Sequence, residues 1–100
     1  MKRVMVRYKV KPEQAAENQR LVEQVYADLE RTATAGLRYA TFKQNDGLSF
    51  VHIASIETAD GESPLPQLPA FQAFLAQIKE RCSEPPVAVE LETIGTYHFL

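Results

Sequence analysis

Leu37-Arg-Tyr-Ala-Thr-Phe-Lys-Gln-Asn-Asp-Gly-Leu-Ser-Phe-Val-His-Ile-Ala-Ser-Ile56 sets two runs rich in β-branched and aromatic residues on either side of Asn45-Asp46-Gly47. A glycine after Asn or Asp supplies the positive φ of a tight hairpin turn, so the stretch reads as two paired strands. With Asp46-Gly47 as a two-residue loop, Thr41 faces His52, Lys43 faces Phe50 and Tyr39 faces Ala54 on one side of the hairpin. Ala40/Ile53 and Phe42/Val51 then form the other side. A three-residue loop with a glycine bulge shifts the register by one and mixes these sets. The two-residue loop is preferred because it leaves one face uniformly apolar.

Upstream, residues 2–10 alternate, with Val4, Val6, Tyr8 and Val10 on one side and Arg3, Met5, Arg7 and Lys9 on the other, the period of a strand with one buried face. Pro12 suits the first turn of a helix, and Glu13 and Glu17 sit near its positive end. Ala15, Val22, Val25, Tyr26, Leu29 and Ala33 recur mostly at three- and four-residue steps and define one buried stripe. Gly36 is placed to end this helix.

Downstream, Thr58 to Leu68 carries Asp60-Gly61, Ser63-Pro64 and Pro66, which predicts a loop near the upper end of ordinary connection lengths. Pro69 can open a second helix whose apolar stripe is Phe71, Phe74, Leu75, Ile78 and Cys82, with Lys79 and Arg81 in the last turn. Pro85-Pro86 forbids its continuation. Alternation returns from Val87, with Val89 and Leu91 opposed to Glu90 and Glu92, and β-prone residues continue through Ile94 to Leu100.

The order βαββαβ predicts an α+β, ferredoxin-like fold: a four-stranded antiparallel sheet in strand order 4-1-3-2 with both helices on one face. Matching apolar faces to the helices places Val4, Val6, Tyr8, Phe42, Val51, Ile53, Val89 and Leu91 in the core. The opposite face is then expected to hold Arg3, Met5, Arg7, Tyr39, Thr41, Lys43, Phe50, His52, Glu90 and Glu92. Apolar residues on such a face call for a cover, and a second copy of the chain is the simplest one.

One hundred residues, 45% of them hydrophobic, read as one domain over 1–100 with a small core that gains from association. Eleven Lys and Arg against thirteen acids, in no block, give a net charge of −2 and argue against nucleic acid as a partner. The lone Cys82 has no partner for an internal disulfide, and no apolar run is long enough for a signal peptide or a membrane span, so a cytoplasmic protein is expected.

Val4 to Glu13 leading into a helix, Ala35-Gly36-Leu37-Arg38-Tyr39 opening strand two, Phe50 to Glu57 as strand three and the Phe71-Gln72-Ala73-Phe74 helix together resemble the antibiotic-biosynthesis-monooxygenase-like family of the dimeric α/β-barrel superfamily. The resemblance implies a homodimer whose two sheets pair face to face into a barrel with room for an aromatic or other small organic ligand. It also implies oxygenase chemistry without a metal or flavin, carried in such proteins by an Asn, a Trp and a His or Arg. This chain has no Trp and no Asn in its first strand.

His52 is the candidate catalytic residue, because an imidazole near Thr41, Lys43 and Arg7 in a closed barrel can exchange protons near neutral pH. The competing reading is a partly buried His held by a structural hydrogen bond. Arg3 and Arg7 are candidates for binding a carboxylate or phosphate, against cross-strand pairing with Glu90 and Glu92. Tyr39 and Phe50 are candidates for stacking on a ligand, with Met5, Thr41 and Lys43 beside them, against packing at a dimer interface. His98 and Glu57 read as surface residues. Two His and one Cys without close spacing predict no metal site, and no cofactor-binding motif is present. Three functions compete: a cofactor-independent oxygenase, a non-catalytic small-ligand-binding or stress-related dimer, and a purely structural association domain. The missing Trp favours the second over the first.

Overall fold

A computed structural model describes residues 1–99. The strands are β1 (Lys2–Val10), β2 (Leu37–Lys43), β3 (Ser49–Ile56) and β4 (Cys82–Leu91). The helices are α1 (Ala15–Thr32), α2 (Pro69–Leu75) and α3 (Ile78–Arg81). The sheet is antiparallel throughout and runs β2-β3-β1-β4, the expected ferredoxin-like order. No helix is long and apolar enough to cross a membrane among the described residues.

The hairpin adopts the preferred register: Thr41 opposes His52, Lys43 opposes Phe50 and Tyr39 opposes Ala54. Its connection is longer than the two residues expected. Gln44 N–H still donates to Ser49 O at 2.8 Å, so the chain turns over Asn45 to Leu48. Asp46 organises this turn, its carboxylate accepting from the Leu48 and Ser49 amides and the Ser49 hydroxyl, and Gly47 takes a φ of 74°.

The face assignment of the hairpin is corrected. Directly opposed residues of an antiparallel pair share a face. Val6 lies opposite His52 and Tyr8 opposite Phe50, and Tyr8, Val10 and Phe50 pack with Leu21, Val22, Val25 and Phe74 from the helices. Tyr39, Thr41, Lys43, Phe50 and His52 therefore lie on the helix-facing side. Phe42, Val51, Ile53, Val89 and Leu91, expected in the core, share the other side with Arg3, Met5 and Arg7. Phe42 is 49% exposed and Val89 40%. The expectation failed because both sides of the hairpin are apolar enough to be a core, so matching hydrophobicity could not choose between them.

Three boundaries also differ from expectation. The first helix begins at Pro12 as a turn of 3-10 helix, Pro12–Gln14, but it ends before Gly36: Ala33 takes the left-handed conformation, and the Thr34 amide bonds to Leu29 O. The second helix is broken at Ala76 and Gln77, the latter at φ 60°, which puts Cys82 in a strand rather than on a helical stripe. That strand runs through Pro85-Pro86, because β4 is an edge that pairs only with β1 and its register shifts between Arg7 and Lys9. It stops at Leu91; of the expected extension, Leu100 lies outside the described residues.

Candidate functional site

The middle of β3 presents His52 to the helices, where it is only 5% exposed. A buried imidazole needs partners for both ring nitrogens, and neighbouring strands supply them. The Tyr8 hydroxyl from β1 lies 2.8 Å from Nε2, and the Tyr39 hydroxyl from β2 lies 2.6 Å from Nδ1, with Thr41 Oγ1 at 3.1 Å. Thr41 in turn meets the Tyr26 hydroxyl of α1 at 2.8 Å. On the other side, Asn18 Nδ2 donates to Tyr8 Oη at 2.9 Å, and Arg81 Nε donates to Asn18 Oδ1 at 3.2 Å. The result is one chain of hydrogen bonds from the end of α3, through α1 and β1, to β2.

Burial decides the charge state of this chain. Loss of water lowers the His52 pKa to about 4, so the ring is neutral at neutral pH. The same loss pushes the Tyr8 and Tyr39 hydroxyls well above the usual phenol range, Asn18 only partly offsetting this at Tyr8. All three groups stand as neutral donors and acceptors. The aromatic rings hold them in place: Tyr8 stacks on Phe50 at 5.6 Å, Tyr39 on Tyr26 at 5.3 Å, and His52 lies 5.3 Å from Phe74.

Above this polar floor is a cavity of about 430 Å³ between the sheet and the α2–α3 segment, within the usual range for a small-molecule site. Val4, Val6, Ala54 and Ile56 of the sheet face Leu65, Phe71, Phe74 and Ile78 across it. Tyr8, Tyr39 and His52 interrupt the apolar wall at one end, while Ser63 and Lys79 supply the remaining polar lining with Pro85-Pro86 at the β4 edge. The loop after β3 thus contributes directly: its turn of 3-10 helix, Leu65–Gln67, buries Leu65 into the site.

The residues expected to share one barrel face are divided. His52, Tyr39 and Thr41 meet in the cluster, but Arg7 is on the opposite side of the sheet, 3.7 Å from Glu84 rather than paired with Glu90 or Glu92. Arg3 is there too, bonding Thr93 Oγ1 at 2.8 Å, and Met5 lies between them. Lys43 reaches Gln19 Oε1 at 2.8 Å, away from His52. Phe50 is core, 2% exposed beneath Tyr8. Glu57 caps its strand end by pairing with Arg38 at 3.2 Å. Among the described residues no group of His, Cys, Asp and Glu is placed to hold a metal ion.

Asn18, Arg81 and the Tyr8 hydroxyl were not singled out in the sequence, though one signal existed. Asn18 falls three residues after Ala15 and four before Val22, so a polar amide interrupts the apolar stripe of α1 and is completely buried. Arg81 reads as an ordinary last-turn cation, and only the break at Gln77 turns its guanidinium inward.

No protein-family model and no curated protein matches the chain. Solved structures do. An antibiotic biosynthesis monooxygenase aligns at 19% identity over 95% of this chain and 100% of its own, with a TM-score of 0.72. Rv0793 from Mycobacterium tuberculosis aligns at 18% identity over 95% of this chain and 96% of its own, TM-score 0.73. A mutant of SnoaB, a cofactor-independent oxygenase from Streptomyces nogalater, aligns at 18% identity over 95% of this chain and 94% of its own, TM-score 0.68. At such identities the likeness is one of fold. The chain has the antibiotic-biosynthesis-monooxygenase-like fold over nearly its whole length.

Proposed function

We propose, for a chain of this fold, that the cavity over His52 binds a compact, largely apolar cyclic molecule and that the protein is a cofactor-free, monooxygenase-like enzyme working as a homodimer. The observation that carries the reading is the cavity itself: an apolar volume of about 430 Å³ closing at one end on Tyr39, His52 and Tyr8. Apolar walls supply affinity and exclude water, and the few polar atoms at one end orient the ligand. In such a reaction the substrate is its own reductant. One atom of dioxygen enters the substrate, the other leaves as water, and the two electrons and two protons come from the oxidised carbon or hydroxyl groups. The chain's own task is to hold the substrate and stabilise negative charge on its oxygen, which a buried hydroxyl donor does well because little water competes.

Oxygen uptake with a panel of dihydroquinones tests this, with product formed in step with oxygen consumed as the expected result. Ligands that raise the melting temperature yet give no uptake would leave the second reading, a non-catalytic small-ligand-binding protein. A specific observation favours that alternative: His52 lines the cavity, but both its ring nitrogens are already taken by protein groups, so neither is free to exchange a proton with a ligand.

The homodimer reading rests on the sheet face opposite the helices. Met5, Phe42, Val51, Ile53, Val87 and Val89 share it, with Val87 60% exposed. This face is more apolar than the one expected for association, since it exchanged Tyr39, Phe50 and His52 for Phe42, Val51 and Ile53. A second copy covering it would bury roughly 1,600 Å² or more in total, the size of a standard stable interface. A cytoplasmic location fits the single, buried, unpaired Cys82.

A further inference from the structure

Arg81 is 5% exposed, yet among the described residues it forms no ion pair with any carboxylate. Its guanidinium is instead satisfied by oxygens: NH1 donates to Ala76 O at 2.9 Å, NH2 to Phe74 O at 2.5 Å and Nε to Asn18 Oδ1 at 3.2 Å. Two of these close the C-terminus of α2, where carbonyls have no helical partner and favour a cation. The third faces a completely buried amide.

That contact has a chemical consequence. Arg has only donors, so the Asn18 atom that meets it must be the carbonyl oxygen, and the amide nitrogen must point to Tyr8. Tyr8 Oη therefore accepts from Asn18. Its own hydrogen has one remaining side-chain partner, His52 Nε2. Nε2 then carries no hydrogen, and the neutral ring carries its hydrogen on Nδ1, directed at Tyr39 Oη 2.6 Å away and shared with Thr41. Thr41 is also engaged by Tyr26. The Tyr39 oxygen receives a hydrogen, so its own is free to turn from the neighbouring Thr41 to the cavity that it lines.

We propose that Arg81 and Asn18 are positioning residues that fix the Nδ1–H tautomer of His52, and thereby make Tyr39 a hydrogen-bond donor to the cavity, which selects apolar ligands whose polar end is an acceptor such as a ketone carbonyl. This deepens the reading of the cavity as a ligand site and rests on it for the ligand class, but the tautomer is a property of the empty protein. Neither Arg81 nor Asn18 lines the cavity, so their influence passes through Tyr8, His52 and Tyr39 in turn. The arrangement also couples the break between α2 and α3 to the polar floor. The same guanidinium that closes α2, one wall of the cavity, sets the hydrogen bonds at its base.

The test is a long-range proton–nitrogen correlation spectrum of the 15N-labelled protein, with His98→Gln removing the other imidazole. His52 is expected with a protonated Nδ1 and a bare Nε2; a hydrogen on Nε2 overturns the proposal. Asn18→Asp keeps the contact to Arg81 but turns an acceptor to Tyr8, so the Tyr8 hydrogen goes to the carboxylate and His52 should switch to Nε2–H. A folded Asn18→Asp protein that retains Nδ1–H removes Asn18 from the role. Arg81→Met releases the amide to flip and should give a mixture of tautomers, with Arg81→Lys restoring the single form; pure Nδ1–H in Arg81→Met removes Arg81.

The ligand class is read separately with 1-tetralone and tetralin, which share a skeleton and differ in the carbonyl. The ketone is expected to lose roughly tenfold in affinity in Tyr39→Phe while tetralin is unchanged, the loss of about one hydrogen bond. Equal losses for both, or binding of neither, overturns the acceptor class and leaves the tautomer to be judged by the spectrum.

Discussion

The Tyr8 hydroxyl lies 2.8 Å from His52 Nε2, across the β1–β3 ladder and beneath the helices. That contact holds the imidazole on the helix side of the sheet rather than on the opposite face, and most of what can be measured follows from it.

Stability should depend on pH through His52. Its pKa is about 4 in the fold, against 6.5 for the unperturbed side chain, because burial disfavours the charged ring. A depressed folded value means that the unfolded chain binds the proton first. The contribution is therefore complete above about pH 6.5 and is lost as pH falls towards 4, amounting to roughly 3 kcal/mol. Urea unfolding at pH 7.5, 5.5 and 4.5 should show this slope. His52→Gln, which keeps polar atoms but does not titrate, should flatten it. The carboxylates held below their usual range, Asp46 among them at about 2, act in a lower window.

Tyr8→Phe keeps the stack on Phe50 but removes the oxygen that joins Asn18 to His52. The expected loss is about 1–3 kcal/mol for each buried group left unpaired, with the helix content retained. Tyr8→Ala removes the ring as well and should cost about 3–5 kcal/mol, the range for a large core truncation. Chemical denaturation of the two variants measures both; no loss in Tyr8→Phe would mean that the hydroxyl contributes nothing, and equal losses that the ring adds nothing beyond it.

On the other face, Ile53→Glu puts a charge opposite Met5 at the centre of the apolar sheet surface. Sedimentation should show a dimer in the parent protein at micromolar concentration and a monomer in this variant, with unchanged far-ultraviolet circular dichroism. A parent protein that is monomeric removes the proposed association. So does a variant that dimerises as well as the parent.

Gly36→Ala should destabilise by about 1–2 kcal/mol or more, since Gly36 has a φ of 77° and an added Cβ would lie 2.6 Å from Thr58 Cγ2. Adding Thr58→Ser removes that methyl and should recover only part of the loss. The backbone strain remains, as does a 3.1 Å approach to the Thr58 Cα. Thermal unfolding of the single and double variants separates the two contributions.

Much of the architecture was legible from alternation and punctuation alone. Period-two runs located β1, the hairpin and the start of β4's regular part, Pro12 and Pro69 marked the helix starts, and the residue pairs of the hairpin were read correctly. Such signals are local: they state which residues of a strand share a side and which pair across a turn. They do not state which side meets the helices. Ala40, Phe42, Val51 and Ile53 are as apolar as a core face should be, whereas the side that is buried carries Tyr39, Thr41 and His52. Those polar groups are buried without penalty only because Tyr8, Asn18 and Tyr26 arrive from β1 and α1 to pair with them, and such pairing exists only once the chain has folded. The order of the elements and the hairpin register were thus properties of the sequence by itself. The inward turn of His52, the guanidinium of Arg81 behind it and the cavity above it were decided by tertiary packing, because each depends on partners tens of residues away.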